Sequence, residues 1–227
     1  MTNVKAIIFA IDDVLYDAFL QKSNARLSAV KAMIEAGLPV DVETGYRKLE
    51  EIVKELGPNN NRHFDSLLEK LGLKWDPAVV AAGVVAYRNT NPVFLKPYPD
   101  TVPTLLRLRE MGMKLGIASS GRSVKEWEKL INLGLQYLFQ AVVVSEDLKL
   151  NQLTEQVLEQ VARQLNVDIR ETAYIGVDPD SEINVANRAG LNTIRLRKGQ
   201  AKLEKGTTNP RYEINKLSEI IQLLSKL

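Results

Sequence analysis

No cysteine occurs in the 227 residues, which excludes disulfides and thiolate chemistry. There is a single histidine, His63, so a multi-histidine metal centre is excluded, and no Ser-His-Asp arrangement of recognisable spacing surrounds it. No apolar run approaches ~18 residues, the length a membrane-spanning helix needs. The opening MTNVK lacks the basic-then-apolar pattern of a secretory signal, so a cytoplasmic location and no membrane partner are expected. The net charge is only +2, which gives no basic footprint and argues against a nucleic-acid partner. Glycine-rich phosphate loops of the GxGxxG or GKS/GKT type are absent. The composition that is left, 45% hydrophobic and 26% charged, is that of a soluble globular protein with room for one large domain or a core plus a smaller one.

The chain is organised around Lys5 to Asp17, KAIIFAIDDVLYD. Ala6 to Ala10 form a short apolar run bounded by polar groups, the pattern of a strand buried on both faces. It leads into the adjacent acids Asp12 and Asp13. In an open α/β sheet, the carboxyl edge of the strands is where ligands bind. The alternative is that both acids merely cap the next turn.

Four amphipathic segments follow, with no strand pattern between them. They are Ala18 to Ala36, a helix capped by Asp41 or Thr44, a helix carrying Phe64 to Leu71, and one starting near Pro77. Asn89 to Pro99, with three prolines, reads as a stiff extended linker. Strands then alternate with helices: Lys114–Ser119, Ala141–Val144, Ala173–Gly176 and Thr193–Leu196, with a final helix from Leu217. This alternation predicts a doubly wound, Rossmann-like parallel α/β sheet built from residues 1–15 and 95–227, with a four-helix domain over 16–94 inserted into it. Gly199 to Arg211 is expected to be a surface loop. Trp75 and Trp127 are expected in the core or at a contact of the helical domain, and His63 is expected at or near the surface.

FxIDDVLYD resembles motif I of the haloacid dehalogenase (HAD) superfamily, hhFDxDG(T/V)LxD, in the subfamily with a helical cap directly after that motif. The resemblance covers essentially the whole chain. It implies the lineage of Mg²⁺-dependent small-molecule phosphatases, with a cap that opens and closes over the site and selects the substrate. The family's first aspartate, the nucleophile, falls on Ala10, and the second is present as Asp12. Ser119-Ser120-Gly121-Arg122 resembles motif II, in which Ser119 binds the phosphoryl group and amides at the following helix start help to hold the anion. Arg122 and Lys125 could grip an anion there or simply be solvated. The motif III lysine falls on Gln152; Lys149 either reaches in or is a solvated loop charge. In motif IV the first acid has become Val177 and the second Glu182, with Asp178 a substitute one position away. Mg²⁺, if held, would rest on Asp12, Asp178 and Glu182.

The family reaction needs a carboxylate to attack phosphorus, a neighbouring acid to protonate the leaving group, and cations to neutralise developing charge. Ala10, Gln152 and Val177 stand at three of those positions without the functional group. The expectation is a HAD-fold protein of impaired activity, either a natural pseudoenzyme or a modified scaffold. It would bind a small phosphorylated or anionic molecule between core and cap. Two alternatives remain open: a non-catalytic module with a protein partner, and a hydrolase using Asp12, Asp178 and Glu182 in a rearranged way.

Overall fold

A computed structural model describes residues 4–58, 60–198 and 206–224. The chain divides into two compact units, Met1–Phe19 with Leu95–Leu227, and Leu20–Phe94. Most of the expected loop at Gly199 to Arg211 lies outside the described residues.

The first unit is built on one six-stranded sheet: β1 (Ala6–Phe9), β2 (Lys114–Ser119), β3 (Ala141–Val144), β4 (Thr172–Gly176), β5 (Asn192–Leu196) and β6 (Tyr212–Ile214). Its order is β3-β2-β1-β4-β5-β6 and every described pairing is parallel. The order reverses on either side of β1, so β1 lies at the switch point where α/β sheets open a crevice. Phe9, the last residue of β1, lies level with Ile117 of β2 and Ile175 of β4. Ala10 N–H continues the pairing to Ile175 O at 2.9 Å. β1 is buried along its whole length, as its uninterrupted apolar run demands.

The helices of this unit are α5 (Thr101–Glu110), α6 (Ser123–Asn132), α7 (Glu155–Leu165), α8 (Asn184–Arg188) and α9 (Ile220–Leu224). α7 turns Val157, Leu158, Val161 and Leu165 inward. It approaches β2 so closely that a Cβ on Gly116 would stand 2.5 Å from Val161 Cγ1. The chain re-enters this unit beside the place where it leaves it: Leu15 O accepts both Tyr98 N–H (3.0 Å) and the Thr101 hydroxyl (2.9 Å).

The helical unit holds most of α1 (Ala18–Glu35), and α2 (Val42–Leu56), α3 (His63–Lys70) and α4 (Pro77–Thr90). It closes a small core of its own around Val30, Met33, Leu49, Ile52, Leu67, Leu68 and Val79. Asp41 caps α2 through Thr44 N–H at 2.8 Å, and Asp76 caps α4.

Three expectations need correction. The linker is not extended throughout, because Asn91–Phe94 forms a 3₁₀ turn that begins as α4 ends, with Pro92 fixing φ in its first turn. β6 was not foreseen: it is a three-residue edge strand in a polar stretch, too short for an alternation signal. Of the two places expected for the tryptophans, the core is ruled out, since Trp75 and Trp127 are exposed, whereas the Trp75 indole does make a contact of the helical unit by donating to Asp65. Among the described residues, no helix is long and apolar enough to cross a membrane.

The close approach at Gly116 is testable. Gly116→Ala should lower stability to urea by roughly 1–3 kcal/mol through overpacking. Trimming the neighbour in Gly116→Ala/Val161→Ala should recover part of that loss.

Candidate functional site

The carboxyl ends of β1, β2 and β4 open into a cavity of about 570 Å³ whose lining belongs wholly to the first unit. Of the residues expected there from the sequence, Ala10, Asp12, Ser119, Ser120, Gln152, Asp178 and Glu182 line it. Glu126 and Lys129 of α6 line it too, and the sequence pattern did not point to either.

Asp12 and Asp13 have different fates. Asp13 adopts a left-handed backbone (φ 59°), and its carboxylate accepts from Ala18 and Phe19 N–H, so it caps the start of α1. Asp12 is no cap. Its Oδ1 accepts the Tyr16 hydroxyl at 2.8 Å and Lys129 Nζ at 2.7 Å. Burial, reinforced by the Asp12 carboxylate, holds the Tyr16 phenol far above its ordinary range, so Tyr16 stays a donor.

Lys129 is shared. Its Nζ also lies 2.8 Å from Glu126 Oε1, and the other Glu126 oxygen accepts the Ser119 hydroxyl at 2.7 Å. A continuous relay therefore runs Tyr16–Asp12–Lys129–Glu126–Ser119. Burial pulls the Lys129 ammonium toward neutrality, but the two carboxylates outweigh it and its pKa stands above the ordinary value. An ion contact at an effective dielectric near 20 is worth about 4 kcal/mol at 4 Å, and two of them offset a desolvation penalty of several kcal/mol.

α6 places these charges inside by turning against its own apparent amphipathicity. Glu126 and Leu130 are buried, whereas Val124, Trp127 and Ile131 are exposed. The Glu126–Lys129 spacing, one helical turn apart and shortly after Ser119, was the available signal. The apolar residues at i, i+3 and i+7 of the same helix masked it.

Two of the amides expected to hold an anion are occupied. Gly121 N–H donates to Ser145 Oγ at 3.2 Å, and Ser123 N–H donates to the Glu146 carboxylate at 2.7 Å. Gly121, Arg122 and Lys149 do not line the cavity. The Arg122 side chain is exposed and reaches toward Glu146, Lys125 pairs with Glu128, and Lys149 is an exposed residue in a left-handed turn. His63 bonds Gly57 O at the start of α3.

After β4 the chain forms a π-turn, Pro179–Ile183. Asp178 caps it, with Oδ1 accepting Asp180 and Ser181 N–H. Glu182 folds back so that Oε2 accepts Val177 N–H (2.8 Å) and Asp178 N–H (3.0 Å). Gly176 makes room for this: a Cβ there would stand 2.8 Å from Glu182 Oε2. Val177 is buried in the hydrophobic core rather than offered to the cavity. Burial raises the Glu182 carboxyl to about 7; the two amides pull the other way, and Asp178 and Asp12 add to the rise.

A divalent ion does not fit these donors. Mg²⁺ requires a tight octahedron of oxygens at about 2.0–2.1 Å. Ala10 supplies no side-chain oxygen, Asp12 Oδ1 carries Lys129, and Asp178 and Glu182 each turn an oxygen to backbone amides. Among the described residues, no three His, Asp or Glu side chains are grouped so as to hold a metal.

The raised Glu182 carboxyl has a consequence for stability. Its pKa is higher folded than unfolded, so the folded state binds the extra proton between about 4.5 and 7. Stability from this group is therefore greatest at acid pH and falls as pH rises toward 7. Urea unfolding from pH 5 to 7.5 should show this slope in the unaltered chain and lose it in Glu182→Gln, a difference on the order of 2 kcal/mol.

Known proteins resemble this chain along its length. Residues 7–196 match the family described as haloacid dehalogenase-like hydrolase. A glyceraldehyde 3-phosphate phosphatase of Methanopyrus kandleri is 44% identical, covering 99% of this chain and 98% of its own. One of the same name from Methanocaldococcus jannaschii is 36% identical, again over 99% and 98%. A Bacillus subtilis HAD-hydrolase solved bound to magnesium superposes with a TM-score of 0.71 at 20% identity, covering 98% of this chain and 99% of that one. With the six-stranded parallel sheet and its helical insertion, the match over residues 7–196 establishes that this chain belongs to the haloacid dehalogenase-like hydrolase family.

Proposed function

We propose that this chain keeps the architecture of a small-molecule phosphatase but does not carry out aspartyl-phosphate chemistry. The observation that carries this reading is Ala10. It sits at the end of β1, on the cavity wall, where the family places its nucleophile, and a methyl group cannot attack phosphorus. Asp12, the acid two residues on, has its Oδ1 engaged by Lys129 and Tyr16 rather than offered to a leaving group. The rearranged-acid alternative is disfavoured by the same geometry, because Asp178 and Glu182 are turned toward the backbone of their own loop.

The ligand class suggested by the relatives' names is a small phosphorylated molecule such as glyceraldehyde 3-phosphate. Ser119 and Lys129 stand in the cavity wall beside the donors Ser120, Gln152, Ser181 and Arg188, and both contact the Glu126 carboxylate. Five carboxylates line the cavity against two cations, Lys129 and Arg188, and Arg188 is paired with Glu155. A phosphate entering this space meets an internal anion already on Ser119 and Lys129, which weakens binding.

Two measurements test the proposal. Phosphate release from p-nitrophenyl phosphate and from glyceraldehyde 3-phosphate, with Mg²⁺ present, should stay at background for the unaltered chain. Ala10→Asp/Gln152→Lys/Val177→Asp should exceed it by at least ~10³-fold. Turnover of about 1–10 s⁻¹ by the unaltered chain, an ordinary enzymatic rate, would contradict the proposal. For binding, Glu126→Gln removes the competing charge, and calorimetric titration with inorganic phosphate should then show about tenfold tighter binding.

A further inference from the structure

We infer that Lys129 is the resident cation of this sheet edge, so that the site takes no divalent ion. The positive charge that the family's chemistry draws from a metal and a lysine after the third strand would come instead from a lysine on α6. The inference begins with connectivity. Lys129 Nζ lies between Asp12 Oδ1 (2.7 Å) and Glu126 Oε1 (2.8 Å), and the Lys129 side chain is only 21% exposed, so its charge is committed to this pair. A dication seated on Asp12 would have to displace the ammonium or lie within a few ångströms of it, and like charges at that range repel strongly in a partly buried site.

The remaining donors reinforce this. An ion at the end of β1 would need oxygens from several elements at once. β1 contributes Ala10, the loop after β4 turns Glu182 Oε2 to two amides, and Asp178 spends Oδ1 as a cap. Gln152 supplies no charge where motif III would place its lysine, so among the described residues Lys129 is the lysine on the cavity wall. The relay is also balanced in protons. Tyr16 and Ser119 donate hydroxyl hydrogens to its two ends, and the one ammonium joins the two carboxylates. Each oxygen so used carries a hydrogen bond from the chain itself, which lowers its availability to a hard cation.

The test uses the full chain and Mn²⁺ as probe, because Mn²⁺ prefers the same oxygen donors as Mg²⁺ and can be followed by its paramagnetic signal. Metal occupancy and melting temperature are read without turnover, so failure here is distinguishable from failure of the hydrolysis assays. The expected result is no saturable Mn²⁺ binding below about 1 mM, where a carboxylate site of sensor strength would already be filled. The melting temperature should be unchanged by Mg²⁺ once ionic strength is matched. Lys129→Met leaves two neighbouring carboxylates without their counter-charge, and its melting temperature should fall by roughly 5–10 °C. Saturable Mn²⁺ binding by the unaltered chain at tens of micromolar would overturn the inference, and so would a Lys129→Met variant that melts with the unaltered chain. If Lys129→Met does not fold, Lys129→Arg decides alongside the unaltered chain: it retains the cation and should remain silent to Mn²⁺, whereas Mn²⁺ binding by it would also overturn the inference.

Discussion

The contact between Lys129 and Asp12 joins the end of β1 to α6, and the rest of the cavity wall is arranged around it. Asp12 follows a strand buried along its whole length, which fixes the acid's position at the switch point of the sheet. Lys129 comes from a helix that turns Glu126 and Leu130 inward while Lys125 and Glu128 stay exposed. Once the ammonium is there, Glu126 balances it, and Ser119 follows by donating to Glu126. The four side chains are ordered together, and removing Lys129 leaves Asp12 and Glu126 facing each other without the cation they share.

This arrangement gives a physical account of how the scaffold of this family can accommodate altered residues at its sheet edge. The usual ingredients of phosphoryl transfer are a nucleophile and cations aimed at developing charge. Here the residue that ends the first strand, Ala10, offers only a methyl group, and an ammonium at the edge is directed to the protein's own carboxylates. The backbone does not suffer for it. Val177 joins the core, and Glu182 satisfies the two amides that begin the π-turn. The altered motif residues Val177 and Glu182 are compatible with an intact fold because packing and local hydrogen bonds stabilise them.

Much of this was legible in the sequence. The apolar run at Ala6–Ala10, the four helices after it and the later alternation of strands and helices led to the parallel sheet with its helical insertion, because burial on both faces and helical spacing leave strong signals. Ala10, Asp12 and Ser119 were placed at the strand ends by motif spacing, and they line one cavity. Glu126 and Lys129 were not found, since Val124, Trp127 and Ile131 suggest an apolar inner face that the fold turns outward. Arg122 and Lys149 looked suited to an anion by charge alone. Their side-chain direction depends on where Glu146 lies and on a left-handed turn, neither of which spacing reveals.

The central claim is that Asp12 and Lys129 depend on each other, and a double-mutant cycle measures that dependence most directly. Urea unfolding of the unaltered chain, Asp12→Asn, Lys129→Met and the double variant yields one interaction energy. The account predicts a coupling of at least about 1.5 kcal/mol, the double variant losing less than the sum of the single ones, as expected for a partly buried charged hydrogen bond. A coupling within about 0.3 kcal/mol of zero, the behaviour of independent or solvent-screened sites, would contradict it.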